Sequence, residues 1–260
     1  FFEASVPGFT DHRWLLRPMR AANAALLRRQ VADPQLRERL RPRDELGCKR
    51  TLVSNDWYPV FARGDAELVT EPVARVTDTA IVDAAGVERE VDVIVHGTGF
   101  RANDFVAPML VAGRGGHTLE DVWDPAPQAF LGTTVAGFPN LFLLYGPNTN
   151  MGSGSAIYLI ESQLRHVTAA VELLQRTGSS ALEVRAEAMA AFNAELRERL
   201  SRSVWESGCS NWYVDRHGHD TSNWPGTMPA FRRRASPVEL TDYALRLAPH
   251  SWDAIPVLFY

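Results

Sequence analysis

Lys49 and Arg50 stand side by side after Gly47-Cys48, and the two cations suit different chemistry. A phosphate monoester calls for a flexible point charge, which lysine supplies. A developing oxyanion calls for a permanent cation that cannot lend it a proton, and a guanidinium is that group. Taken alone, such a pair is more often a solvated surface feature. Three further places combine suitable side chains. Gly97-Thr98-Gly99-Phe100 lets the backbone come close to a neighbour. Asn148, Asn150 and Met151 sit in a glycine- and serine-rich loop that leads into a long helix. Trp212 offers a flat stacking face and an N–H donor, although a core aromatic has the same composition.

These groups need elements to hold them. The stretch from about Trp14 to Gln30 reads as a helix, and Pro34 to Leu40 as a short one capped by Asp33 with Pro34 at its first position. Residues 67–70, 73–76 and 79–82 are β-prone, with a turn at Ala84-Ala85-Gly86. Residues 91–95, a β-branched run ending at the Gly97 loop, predict a strand buried on both faces of a parallel sheet. Residues 140–145 predict a second such strand, which feeds the loop from Gly146 to Ser155. In the next helix Ile157, Ile160, Leu164, Val167, Val171 and Leu174 line up as an inward face. Ser153 or Ser155 can cap its start and Gly178 its end. A further helix spans about Ala186 to Leu200, with Met189, Phe192, Leu196 and Leu200 inward. Beyond Ser203 the chain is aromatic and turn-rich. The fold class is α/β with two strand–loop–helix centres.

Composition excludes several classes. A formal net charge of -4 over 260 residues gives no reason to expect a nucleic-acid partner. No run of about 20 apolar residues occurs, so no membrane span is expected. The start carries no signal-like region and no Met, which suggests that residues precede it. Two cysteines do not make a disulfide framework and fit free thiols in a cytoplasmic protein. His217-x-His219 lacks a third ligand, so no metal site is expected. Gly113-Arg114-Gly115-Gly116 lacks the context of a phosphate loop and reads as a turn. Arg232-Arg233-Arg234 reads as a solvated edge, and His96 as a structural histidine.

Three segments together carry a family pattern: Gly47-Cys48-Lys49-Arg50 with Asn55-Asp56-Trp57-Tyr58-Pro59, then Asp92 to Phe100, then Gly137 to Asn148. Ser210-Asn211-Trp212-Tyr213 and Asn223-Trp224-Pro225-Gly226 follow in order. In sequence and spacing they resemble the C-terminal half of the Baeyer–Villiger and related class B flavin monooxygenases. The resemblance runs from about Leu26 to Tyr243. It implies a partial two-dinucleotide-binding-domain flavoprotein: residues 1–98 as the end of an NADPH-binding domain, 99–235 as the returning part of an FAD-binding domain with a lid loop, and 236–260 as a tail. It implies that Arg50 is catalytic, facing the peroxyflavin, and that Lys49 meets the 2'-phosphate of NADPH. It implies that Thr98, Gly99 and Phe100 carry the chain between the nucleotide domains, with Gly97 where the family has Ala. Asn148, Asn150 and Met151 then lie beside the flavin, and Trp212 folds over the nicotinamide. The implied partners are O2 and a small-molecule ketone, with FAD and NADPH as cofactors. The alternatives are an N- or S-oxygenating relative and an inactive fragment. No G-x-G-x-x-G occurs, so the segments that bind both pyrophosphates are expected to lie outside this chain.

Overall fold

The computed structural model describes residues 2–247. Residues 256–260, the apolar end of the tail, lie outside the described residues. Helices α1 (Phe2–Phe9), α2 (Arg17–Gln30), α3 (Pro34–Leu40) and α4 (Trp57–Ala62) come first. Strands β1 (Val73–Val76), β2 (Ala80–Asp83) and β3 (Glu88–Glu90) follow, then α5 (Leu119–Val122) and α6 (Ala156–Thr177). The order closes with β4 (Ala181–Val184), α7 (Ala186–Leu200), α8 (Met228–Ala235) and β5 (Tyr243–Arg246).

The chain divides into two units. The smaller comprises Pro18–Arg43 and Thr51–Phe100; the larger comprises Phe1–Arg17, Asp44–Arg50 and Arg101–Tyr260. In the smaller unit α3 forms over the expected residues. The Asp33 carboxylate accepts the Gln35 N–H at 2.9 Å, and Pro34, which has no N–H, stands where none is needed. Leu27, Val31 and Tyr58 form a small core there. β1, β2 and β3 pair antiparallel in that order. Buried Asp83 builds the β2–β3 turn by accepting the N–H groups of Ala85 and Val87 at 3.0 and 2.9 Å.

Both buried parallel strands are corrected by the structure. Residues 91–95 join no ladder, and Val93 and Val95 are 75% and 89% exposed. Residues 140–145 join none either, and 67–70 are irregular. A continuous apolar run signals two covered faces, but a strand also needs a neighbour to accept its backbone hydrogen bonds. Among the described residues these segments form no ladder with a neighbouring strand, the pairing between named strands is antiparallel, and the parallel contact is a single bridge between Asn150 and Asn223.

In the larger unit β4 and β5 pair antiparallel, with Leu182 opposite Leu245. Glu183 of β4 is 7% exposed and gathers the loops around it. Arg114 donates to it at 2.7 and 2.9 Å, Gly137 N–H at 3.0 Å, and Arg246 lies at 3.2 Å. Burial alone would raise this carboxyl. Arg114, the Gly137 N–H and Arg246 outweigh it and hold the pKa below the usual carboxylate range. Gly113–Gly116 is thus a turn, and its arginine anchors it. The Arg232–Arg234 run is more than a solvated edge. Arg232 lies 3.5 Å over the Tyr158 ring, and Arg234 pairs with Glu195 at 2.7 Å.

Helix α6 has the expected caps, Ser155 at its start and Gly178 in the left-handed conformation at its end. Its buried face is not the expected one. Ile157, Leu164 and Val171 are exposed, whereas Leu159, Ser162, Gln163, His166 and Ala170 are buried. Specific partners make those polar residues tolerable inside. Gln163 Nε2 donates to Gly132 O at 2.9 Å, and the His166 ring nitrogens meet Ala235 O and the Tyr243 hydroxyl at 2.7 Å each. Hydrophobic periodicity does not register such partners. Helix α7 matches its expected span, with Phe192, Leu196 and Leu200 buried.

Cys48 and Cys209 are joined in a disulfide, with Cα atoms 6.5 Å apart, contrary to the expectation of free thiols. Their sequence separation of 161 residues hid the pairing. Among the described residues no helix is long and apolar enough to cross a membrane, and no cluster could hold a metal ion.

If Glu183 is the anchor that this geometry implies, Glu183→Ala leaves Arg114 and the Gly137 N–H without their acceptor. Urea denaturation should then show a loss of about 2–3 kcal/mol.

Candidate functional site

A cavity of about 180 Å³ in the larger unit is lined by Phe105, Tyr145, Asn150, Trp212, Tyr213 and Ser222, among others. Two backbone features shape its floor. Tyr145 has φ of 58°, a left-handed conformation that is uncommon for a bulky residue. Two contacts fix it: its N–H donates to Gln163 Oε1 at 2.9 Å, and its hydroxyl donates to Asn150 Oδ1 at 2.6 Å. Gly146 follows because a Cβ there would stand 2.5 Å from the carbonyl oxygen of Gly132.

Arg50 acts on the same place. Burial raises the Tyr145 phenol above its ordinary pKa, and the charge of Arg50 opposes that rise. Burial raises Tyr213 likewise, and neighbouring Trp212 and the charge of Arg50 oppose that rise. The charge of Arg50 therefore bears on two hydroxyls of the cavity. Lys49 is exposed and pairs with Asp44 at 2.7 Å. The disulfide at Cys48 ties this cationic segment to the loop that carries Trp212.

The tryptophans, indistinguishable in sequence, separate clearly by burial. Trp205 and Trp224 are each 2% exposed, whereas Trp212 is 44% exposed at the cavity. Among the loop residues, Asn150 lines the cavity. Met151 is buried in the core, and the Asn148 amide donates to the carbonyls of Asp220 and Asn223 at 3.2 and 3.1 Å. Asn148 thus braces the loop and borders a second cavity of about 250 Å³. Thr98, Gly99, Phe100 and His96 belong to the smaller unit and are exposed. His217 and His219 have ring centroids 6.4 Å apart.

Tyr213, Asp220 and Asn223 were not foreseen as site residues, nor was the hydroxyl of Tyr145. Asp220 is 1% exposed. Burial pushes its carboxyl up to about 6 against the hydrogen bonds of Asn223 and Ser222, and nearby Glu206 pushes it the same way. Its only sequence signal was its place three residues before the Asn223-Trp224-Pro225-Gly226 motif.

The fold is that of a partial two-dinucleotide-binding α/β flavin monooxygenase. An oxidised steroid monooxygenase bound to NADP matches with a TM-score of 0.80 and 27% identity, over 93% of this chain and 47% of that one. A cyclohexanone monooxygenase from Rhodococcus sp. Phi1, bound to NADP+, matches with a TM-score of 0.80 and 26% identity over the same shares. In sequence, the chain is 40% identical over 249 residues to a Baeyer–Villiger monooxygenase of Pseudomonas aeruginosa, across 95% of this chain and 47% of the relative. It is 38% identical over 250 residues to one from Streptomyces coelicolor, across 95% of this chain and 48% of that protein. No family model matches. Over nearly its whole length, then, this chain is similar in sequence to about half of each of these Baeyer–Villiger monooxygenases. It spans about half the length of the curated relatives it matches.

The raised Asp220 carboxyl has a consequence for stability. Between its ordinary value near 3.8 and its folded value of about 6, the folded chain keeps a proton that the unfolded chain has released. This contribution favours folding below pH ~4 and is lost as pH rises through ~6. Between pH 4.5 and 7.5, denaturant midpoints should move against the wild type relative to Asp220→Asn.

Proposed function

We propose that this chain is the C-terminal part of an FAD- and NADPH-dependent monooxygenase that inserts one oxygen atom of O2 into a ketone, giving an ester or lactone. One observation carries this reading. The charge of Arg50 bears on the Tyr145 and Tyr213 hydroxyls of a cavity that Asn150 and Trp212 also line, in a chain 40% identical to a Baeyer–Villiger monooxygenase.

The residues fit one side of a flat, carbonyl-bearing ring. They offer aromatic faces, an amide and a cation. At about 180 Å³ the cavity is smaller than the ~300–1,000 Å³ of sites that enclose a whole ligand, so these residues supply one wall of a larger site. When bound, FAD reduced by NADPH supplies the activation of O2. Arg50 stabilises negative charge on the reacting oxygen and cannot return a proton to it. That property favours the ketone over an amine or sulfide. Attack on a carbonyl carbon needs a deprotonated, nucleophilic oxygen, whereas nitrogen and sulfur centres take the protonated form. Trp212 would offer its face to the nicotinamide, and with Phe105 and Tyr145 it would keep water from the reacting atoms. Lys49, paired with Asp44 in this structure, would hold the 2'-phosphate of NADPH. Asn150 orients the ring edge beside it, with Met151 and Asn148 supporting the loop. Thr98, Gly99 and Phe100 carry the chain from the NADPH-binding part, residues 1–98, to the FAD-binding part, residues 99–235.

In the flavin-loaded protein, Arg50→Ala should leave the flavin bound and reduce ester formation at least ~100-fold. Product analysis by gas chromatography with the flavin spectrum checks both. Ester formation at the wild-type rate, or an N-oxide or sulfoxide as the sole product, would overturn the reading.

A further inference from the structure

We propose that Asp220 is a positioning residue for the cavity beside Arg50, and that through an unbroken chain of side-chain hydrogen bonds it dictates which way the Asn150 amide faces.

The chain starts in the core. Asp220 Oδ1 accepts the N–H groups of Ser222 and Asn223, both at 2.8 Å, and Oδ2 accepts Asn223 Nδ2 at 2.7 Å. An ionised carboxylate only accepts. Asn223 must therefore turn its NH2 towards Asp220 and its carbonyl away. That carbonyl, Oδ1, accepts Asn150 Nδ2 at 2.6 Å. Asn150 is left with its own Oδ1 facing the Tyr145 hydroxyl, which donates to it at 2.6 Å. Each link fixes the donor and acceptor sense of the next. The backbone holds the links in place: Asn150 N–H donates to Ser222 O, and Trp224 N–H donates to Asn150 O, both at 2.8 Å.

The consequence falls on Tyr145. While its proton is committed to Asn150, the phenol oxygen offers lone pairs to the cavity. If the amides turn over, Asn150 donates instead, and the phenol presents its O–H. The charge on Asp220 thereby sets whether the cavity wall near Arg50 accepts or donates a hydrogen bond. The carboxyl, raised by burial to about 6, makes that state dependent on pH near neutrality. The groups that bear on Asp220 are Glu206, which accepts its N–H at 2.7 Å, and Arg197, which pairs with Glu206 at 3.0 Å. His219 borders the same 250 Å³ cavity and lies 3.9 Å from Asp215. The orientation of the amides does not depend on the proposed function; its bearing on oxygen insertion rests on that reading.

Nitrogen-15 NMR of the side-chain amides in the chain itself tests the positioning. The Asn150 and Asn223 amide signals should titrate together with a midpoint near pH 6, and Asp220→Asn should abolish the titration. Asn223→Ala keeps the carboxylate and cuts the chain, so the remaining Asn150 signal should no longer titrate. His219→Gln should leave the midpoint in place, which separates the carboxylate from the imidazole. Asn150 signals that do not titrate in the wild type, or that titrate in either Asp220→Asn or Asn223→Ala, would overturn the proposal. So would loss of the midpoint in His219→Gln. In the flavin-loaded protein, Asp220→Asn should lower kcat about tenfold with KM little changed and remove a limb near pH 6 from the rate profile. Titrating amides in a protein that forms no ester would sink the proposed function and leave the positioning intact; silent amides would sink the positioning whatever the protein oxidises.

Discussion

The candidate site is organised by one buried carboxylate that can only accept hydrogen bonds. Asp220 takes two backbone N–H groups and one side-chain amide, and the sense of every later link follows from that fact. Networks of this kind rigidify a site when each member is satisfied and cost stability when one is not. Here the links end at a tyrosine hydroxyl in the cavity rather than at bulk water. The cation of Arg50 and the amide of Asn150 thus reach the same phenol from different segments, one by charge and one by hydrogen bond.

The rest of the larger unit keeps those segments in register. Gln163, buried in α6, accepts the N–H of Tyr145 and holds it in its left-handed conformation. The Cys48–Cys209 disulfide ties the Lys49-Arg50 segment to the loop of Trp212. Asn211 Nδ2 donates to Trp205 O at 2.9 Å, and its Oδ1 accepts the Tyr213 N–H at 2.8 Å, which fixes the same loop from within. Several charged and amide side chains therefore act here as backbone partners, and the surfaces that periodicity marks as apolar are partly exposed.

Much of this was legible in the sequence, and the rest was hidden for physical reasons. Local rules located α3, α6 and α7, because caps, prolines and helical spacing are properties of neighbouring residues. The motifs singled out Arg50, Asn150 and Trp212, and the larger unit holds all three. The absence of strands at 91–95 and 140–145 was not legible, since a strand exists only with a partner whose position no local pattern encodes. The buried face of α6 was missed because Gln163 and His166 are tolerable inside only when Gly132, Ala235 and Tyr243 meet them. Asp220 and Asn223 were missed for the same reason: their role lies in contacts to a loop some 70 residues away, as in the Asn150–Asn223 bond.

The coupling between the two ends of the network is the most direct test of this account. A double-mutant cycle in urea denaturation at pH 7.5 compares Asp220→Asn, Tyr145→Phe and the double variant. A carboxylate that sets the sense of the Tyr145 bond predicts a coupling energy of at least ~0.5 kcal/mol between residues that do not touch. Additivity within ~0.3 kcal/mol would mean that Asp220 and Tyr145 are independent, and the account would fail.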